Sequence, residues 1–371
     1  MALIFNEPVA LVGRSIRVVG PDGREAGRGP VRVTGAQLTV RVEASQPGTY
    51  LVAWRVISAD THPARGTFVF SVGHTSRPPG EAPGAGGAAS RLDLLLQAAA
   101  RWTHFVGYAL GFGAFAFQIA VLRPTGPGIR GAEHRVWALV TFGVVLLLLA
   151  EPMALLAQTS SLGAAGVLDP EVTSAALESS FGRVLAQRFG AALLLWVLLG
   201  AVRGGSGRAA MGVAALGLAV AFVDGQAAHA IGTRPVWAGL GVNALHLAAM
   251  GTWIGAVGAL VLVWRLPGHE DARREMASRT GVMSATALGV LLVSGSIMAV
   301  QHLAGPADFF ANAYGRTLGA KLGMVCLALL LAAAAARSAP AQRAPWWARE
   351  ATALFGVLAL AGLLVSLPPP R

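Results

Sequence analysis

Eight long apolar stretches follow a short head with a β-strand pattern, and they restrict what this chain can fold into. A helix that crosses a membrane needs about 20 mostly apolar residues. Hydrophobic residues make up 54% of the chain and charged residues 13%, with a mean hydropathy of +0.59. This composition is typical of a membrane protein. We predict eight transmembrane helices at 102–122, 136–157, 184–202, 209–230, 238–264, 279–302, 317–336 and 351–367.

The arginines predict the orientation of these helices. Loops rich in Arg and Lys stay on the cytoplasmic side of a membrane. The loops after the first, third, fifth and seventh helices carry Arg123, Arg130, Arg135, Arg203, Arg208, Arg265, Arg273, Arg274, Arg279, Arg337, Arg343 and Arg349. We therefore expect a multi-pass protein of the cytoplasmic (inner) membrane with extracytoplasmic N- and C-termini.

The net charge of +11 is carried mainly by these loops, so topology explains it better than nucleic-acid binding does. The sequence contains neither a GxxxxGK[ST] motif nor an Asp-Lys-Thr-Gly-Thr phosphorylation sequence, which argues against nucleotide binding and ATP-driven pumping. The single cysteine, Cys326, provides neither a disulfide framework nor a thiolate cage. We expect a protein that is not an enzyme.

Residues 1–72 alternate with the two-residue period of half-buried strands. Leu38, Val40 and Val42 share one face, as do Tyr50, Val52, Trp54 and Val56. Residues 73–91 are rich in proline and glycine, which is typical of a tether. We predict a small extracytoplasmic β-sandwich at 1–72, a linker at 73–91 and a helical membrane domain at 92–371.

Four segments of the head carry a family resemblance: Phe5-Asn-Glu-Pro-Val9, Pro47-Gly-Thr-Tyr50, Trp54-Arg-Val-Ile-Ser-Ala-Asp-Thr-His-Pro63 and Gly66-Thr-Phe-Val-Phe70. In order and spacing they resemble the periplasmic copper-binding CopC domain, which implies a Greek-key β-sandwich. The resemblance also implies a Cu(II) site formed by the mature N-terminal histidine with Asp60 and His62 of an Asp-x-His motif. Imidazole and carboxylate groups suit Cu(II).

The head departs from the family at its start. Met1-Ala-Leu-Ile-Phe5 already leads into the family's second motif, so the first strand and its leading histidine are missing, and no signal peptide precedes them. We expect the true start to lie upstream; the alternative is a head that has lost its strong site. If the family resemblance is set aside, the sequence predicts that Asp60 caps a turn and that His62 is an exposed side chain.

Ionisable side chains inside a membrane are costly, so each one is a functional hypothesis. With the orientation above, most of them belong to the outer half of the membrane, and His246 lies a third to halfway down its helix. We predict an outward-opening vestibule lined by His104, Glu151, Asp224, Gln226, His229, His246, His302 and Lys321.

Two pairs of residues place an imidazole and a thioether on one helix face, because residues four apart are neighbours there. They are His246 with Met250, and Met298 with His302. This ligand set favours Cu(I). The structural alternative is that the methionines fill the core and the histidines bond a neighbouring helix.

Gly225-Gln-Ala-Ala-His229, and Asn243-Ala-Leu-His-Leu247 with Trp253-Ile-Gly255, resemble motifs of the CopD copper-resistance membrane family. The resemblance continues through Ser294-Gly295 and Tyr314–Lys321, and head and membrane parts together resemble a fused CopC–CopD protein. It implies metal roles for His229 and His246.

Two charge questions stay open. Lys321 is the only lysine among 29 basic residues, so its position either needs an ammonium group or lets the side chain reach the outer headgroups. Asp224 and Glu151 have either Lys321 or a protonated histidine as a partner, and the sequence does not distinguish the two.

We therefore predict a copper-handling protein that takes up Cu(II) at the head and passes Cu(I) inward through an outward-facing path lined by His and Met, with import favoured. The candidate metal ligands are Asp60, His62, His104, His229, His246, Met250, Met298 and His302. Its partners are copper ions, the lipid bilayer and a periplasmic copper chaperone. One alternative is membrane electron transfer, in which His104, His229, His246 and His302 are candidate axial ligands of b-type haem. Another is a copper-responsive or structural component without flux.

Overall fold

The computed structural model describes residues 1–59, 61–79, 90–162, 169–227, 235–303 and 305–367. Asp60, His229 and most of the predicted linker lie outside these residues. The described residues divide into two compact units, one comprising 1–96 and 153–185, the other 97–152 and 186–371.

The first unit contains two antiparallel sheets of three strands, in the orders β1-β4-β3 and β2-β5-β6. The strands are β1 Ala2–Ile4, β2 Val9–Val19, β3 Gly27–Thr34, β4 Gln37–Val42, β5 Gly48–Ser58 and β6 Pro63–Val72. Both sheets contribute to one apolar core, since Leu38 and Val40 of β4 are buried together with Tyr50, Val52 and Val56 of β5. The alternation therefore predicted the inward faces of β4 and β5 correctly, although Val42 and Trp54 are only half-buried.

A second apolar cluster in this unit joins the sheets to a helical segment. Val12 of β2 and Ile57 of β5 pack with Leu162, Val172 and Ala176. The last two lie in a nine-residue helix that Asp169 caps with its side chain, Pro170–Glu178, which the sequence reading did not predict.

Among the described residues, eight helices are long and apolar enough to cross a membrane, as predicted. In chain order the helices are α1 Arg91–Thr125, α2 Ala132–Ser161, α3 Pro170–Glu178, α4 Ser180–Arg203, α5 Gly207–Gln226, α6 Val236–Trp264, α7 Glu270–His302, α8 Asp308–Ala311, α9 Ala313–Arg337 and α10 Arg343–Val365. The helices α3 and α8, with nine and four residues, are too short to cross a membrane. Most spans extend beyond the predicted apolar stretches, because their ends carry polar residues that the hydropathy pattern leaves out.

Within the second unit, most of α1 and α6 is buried, whereas α7 and α9 expose long apolar faces of the kind that contact lipid. The backbones of α1 and α6 approach closely through glycines. A Cβ atom added at Gly255 would lie 2.5 Å from the backbone nitrogen of Ala114. In the same region α1 widens into two π-helical turns, Ala109–Gly113 and Gln118–Leu122. Turns of this kind are frequent near functional sites.

Candidate functional site

The turn that holds the predicted Asp-x-His motif connects β5 to β6. Asp60 is outside the described residues, and half-buried His62 directly precedes β6. The backbone carbonyl of His62 accepts hydrogen bonds from the Ser58 amide at 3.0 Å and the Ser58 hydroxyl at 3.2 Å. This part of the turn is therefore tightly tied to the end of β5.

Thr61, between the two motif residues, has a φ of +73° and is buried. Positive φ is rare for a β-branched residue and is retained only where the surroundings enforce it. Gln158 contributes to this, since its Nε2 donates to the Thr61 carbonyl at 3.0 Å. The backbone between the two predicted copper ligands is thus held in an unfavourable conformation by specific bonds.

In the helical unit, His104 lies between two buried carboxylates. Its Nδ1 is 3.1 Å from Glu151 Oε1 and its Nε2 is 3.0 Å from Asp224 Oδ2. Arg188 forms an ion pair with the other oxygen of Asp224. The four side chains come from α1, α2, α4 and α5, and the structure therefore pairs Asp224 and Glu151 with a histidine.

The chemistry of this cluster follows from its donors and acceptors. An ionised carboxylate only accepts hydrogen bonds, so with both acids ionised both ring nitrogens of His104 donate. The cluster then holds two positive and two negative charges and is neutral overall, which lowers the cost of burying each one. In this arrangement neither His104 nitrogen offers a lone pair to a metal ion.

Arg188 is a member of this cluster that the sequence reading did not single out. It lies inside the predicted third helix, and an arginine within an apolar stretch is the signal that could have found it.

His246 on α6 has a separate hydrogen-bond partner. Its Nδ1 is 3.0 Å from the hydroxyl of Ser294 on α7, and that hydroxyl donates to the Val290 carbonyl at 2.6 Å. Because the hydroxyl proton is used there, the ring Nδ1 is the donor and the lone pair of a neutral ring lies on Nε2. Gly295 leaves room for the ring, since a Cβ atom there would be 3.3 Å from His246 Cε1. Lys321 lies on α9.

His302 at the end of α7 is oriented in a similar way. Its Nδ1 is 2.6 Å from the backbone carbonyl of Met298, which can only accept, so the lone pair of a neutral ring again lies on Nε2. The ring is buried and its centroid is 6.3 Å from that of Tyr314.

The other predicted residues lie where the helices place them. Met250 is buried one turn after His246 on α6, and Trp253 is buried three residues further on. Gln226 is the last residue of α5, and His229 lies outside the described residues. Within the described ranges, no group of three or more His, Cys, Asp or Glu side chains is arranged to hold a metal ion.

Comparisons with known proteins identify two domains in this chain. Residues 1–73 match the CopC domain, and residues 91–236 match the copper resistance protein D-like N-terminal domain. The chain is 26% identical over 393 aligned residues to the copper transport protein CutJ of Bacillus subtilis (strain 168), which covers 99% of this chain and 70% of the relative. No solved structure matches the chain.

Proposed function

We propose that this chain, a fusion of a CopC domain with a CopD-like domain, imports copper across the cytoplasmic membrane. Copper is the transported substrate. The alternation of arginine-rich loops supports the orientation, with the head and both termini outside.

The head captures Cu(II) in this proposal. Asp60 and His62 supply a carboxylate and an imidazole, a combination that suits Cu(II). The bonds from Ser58 and Gln158 support this role, because they fix the backbone that carries the motif before any metal arrives. A periplasmic copper chaperone is the expected donor.

The membrane path for Cu(I) uses the imidazole–thioether pairs His246 with Met250 and Met298 with His302, together with His229. The observation that carries this assignment is the bond from His246 Nδ1 to Ser294, supported by the matching bond from His302 Nδ1 to a carbonyl. Histidines that bind metals generally donate their second ring nitrogen to a fixed acceptor, which orients the ring and sets its tautomer.

We do not assign His104 to the copper path. To bind copper, its ring would have to leave either Glu151 or Asp224, so we assign it first to the neutral charge cluster. The same reasoning applies to haem, since an axial histidine also needs a ring nitrogen with a lone pair.

The proposal is tested by titrating the purified, metal-free protein with Cu(I) in the presence of a competing chelator. We expect His246→Ala and His302→Ala each to weaken Cu(I) binding by at least about tenfold. His269→Ala is the matched control, because His269 is exposed at the start of α7. Unchanged binding in both variants contradicts the path, and a Soret band in the visible spectrum of the purified protein points to haem instead.

A further inference from the structure

A cavity of about 470 Å³ lies between α6, α7, α9 and α10. Most of the residues that line it are apolar. The hydroxyl groups of Ser278, Thr280 and Ser284 are exceptions. Arg274 and Arg343 line it as well, and Arg274 is exposed, so this end of the cavity is open to the surface. The arginines belong to the loops predicted to be cytoplasmic.

Glu350 on α10 lines the same cavity and is only 3% exposed. Trp253 of α6 lines the same cavity and provides an indole N–H near this carboxyl group. No ion pair of Glu350 is seen in the part of the chain that the structure describes, where Arg274 pairs with Glu270 and Arg343 donates to the Ser338 carbonyl. A buried acid therefore faces the cavity without an ion pair among the described residues.

Glu350 differs in this respect from the buried acids Glu151 and Asp224. Glu151 and Asp224 share their charge with His104 and Arg188. An isolated carboxylate in a membrane interior is costly, and membrane carboxyl groups without a base commonly serve as proton sites. A proton is the smallest cation that neutralises Glu350.

The surroundings of Glu350 favour a proton over a metal ion. A hard divalent cation needs about six oxygen ligands, and a soft one needs nitrogen or sulfur. The polar groups that α7 contributes to the cavity are hydroxyl groups and the Arg274 side chain, and α9 contributes apolar side chains such as Ala332. On α10, Arg343 is the other charged residue that lines the cavity. Arginines at the open end repel metal cations.

One wall of the cavity carries a buried hydroxyl group on α7. The Ser284 Oγ is buried and, among the described residues, has no hydrogen-bond partner. A polar group of this kind in a cavity of this size is suited to an ordered water molecule, which in turn can reach a carboxyl group.

We propose that Glu350 is an intramembrane proton-binding site that is loaded and unloaded through this cavity from the arginine-rich side. Loading adds one proton to the carboxylate and makes it neutral, and unloading returns that proton to water in the cavity. The site deepens the proposed function, on which its role rests, because proton movement supplies a driving force that the absence of a nucleotide-binding motif leaves open.

The binding step is tested without copper, by infrared difference spectra of the purified protein between high and low pH. We expect acidification to produce the carbonyl band of a carboxylic acid that is lost in Glu350→Gln. Glu133→Gln is the matched control, because Glu133 is an exposed acid with a tryptophan beside it: Trp137 donates to its carboxylate at 3.2 Å. A band that persists unchanged in Glu350→Gln overturns the proposal.

Trp253→Phe provides a second test that keeps the carboxyl group if Glu350→Gln fails to fold. Removing the indole donor is expected to shift the frequency of the same band, and an unshifted band counts against Glu350. The coupling is read separately, from pH changes inside proteoliposomes during copper uptake, where Glu350→Gln is expected to abolish the proton movement. If the wild type takes up copper without proton movement, the coupling of protons to copper is overturned and proton binding at Glu350 is not. If the Glu350 infrared band is present in a protein that moves no copper, the proposed transport is overturned and proton binding is not.

Discussion

His246 Nδ1 lies 3.0 Å from the Ser294 hydroxyl, a bond that joins α6 to α7 and determines which ring nitrogen keeps its lone pair. The hydroxyl is available as an acceptor because its own proton is directed at the Val290 carbonyl. This bond connects two segments of the CopD resemblance, the one around His246 and the Ser294-Gly295 pair.

Ser294→Ala is expected to weaken Cu(I) binding by about tenfold while the ligands themselves remain, because the ring loses the acceptor that orients it. Thr286→Ala is the control, since the Thr286 hydroxyl makes the same type of bond on α7, to the Val282 carbonyl at 3.0 Å. Competition titrations with a Cu(I) chelator measure both variants. Wild-type affinity in Ser294→Ala would show that the bond does not position a ligand.

Gly295→Ala is expected to lower Cu(I) affinity with little loss of stability. The added methyl group would lie 3.3 Å from His246 Cε1 and displace the ring. Gly289→Ala on the same helix meets no atom within 4 Å and should bind as the wild type does. Equal affinities of the two variants would indicate that the ring position is irrelevant to binding.

Asp224→Asn is expected to destabilise the protein by about 3–5 kcal/mol, because it leaves Arg188 and His104 without their shared carboxylate in a buried site. The midpoint of thermal unfolding in detergent, with tryptophan fluorescence as the signal, measures the effect. Glu270→Gln breaks an exposed pair with Arg274 and should leave the midpoint unchanged. Similar midpoints in the two variants would contradict a stabilising charge cluster.

Gly255→Ala is expected to destabilise the helical unit by about 1–3 kcal/mol or more, since overpacking a close contact forces backbones apart. The methyl group would fall against the backbone of α1 near Ala114. Gly241→Ala, also on α6, points into open space and serves as the control in the same unfolding measurement. A wild-type midpoint for Gly255→Ala would mean that α1 and α6 are not locked together at this point.

The sequence predicted best what depends on local pattern. Apolar length located the eight spans, and alternation located the buried faces of β4 and β5. Position along the helices predicted that His104, Glu151 and Asp224 lie in the same half of the membrane. Their pairing depends on how the helices pack, and a local sequence pattern does not reveal helix packing. The methionine and histidine assignments stay predictions.

Two charged residues were missed for different reasons. Arg188 was passed over because arginines were read as markers of topology, although it lies within a span. Glu350 falls one residue before the predicted start of the last helix, whereas the structure begins that helix at Arg343 and buries the side chain. Hydropathy windows lose ionisable residues at their edges, where burial by neighbouring helices decides the environment.

The most direct test of the central claim is copper uptake into proteoliposomes that contain the full chain, supplied with Cu(I) on the side of the head. We predict uptake by the wild type and by His269→Ala, and uptake close to that of empty liposomes for the His246→Ala/His302→Ala double variant. Uptake by the double variant at the wild-type rate would contradict the proposed path, and a wild type that moves no copper would contradict transport itself.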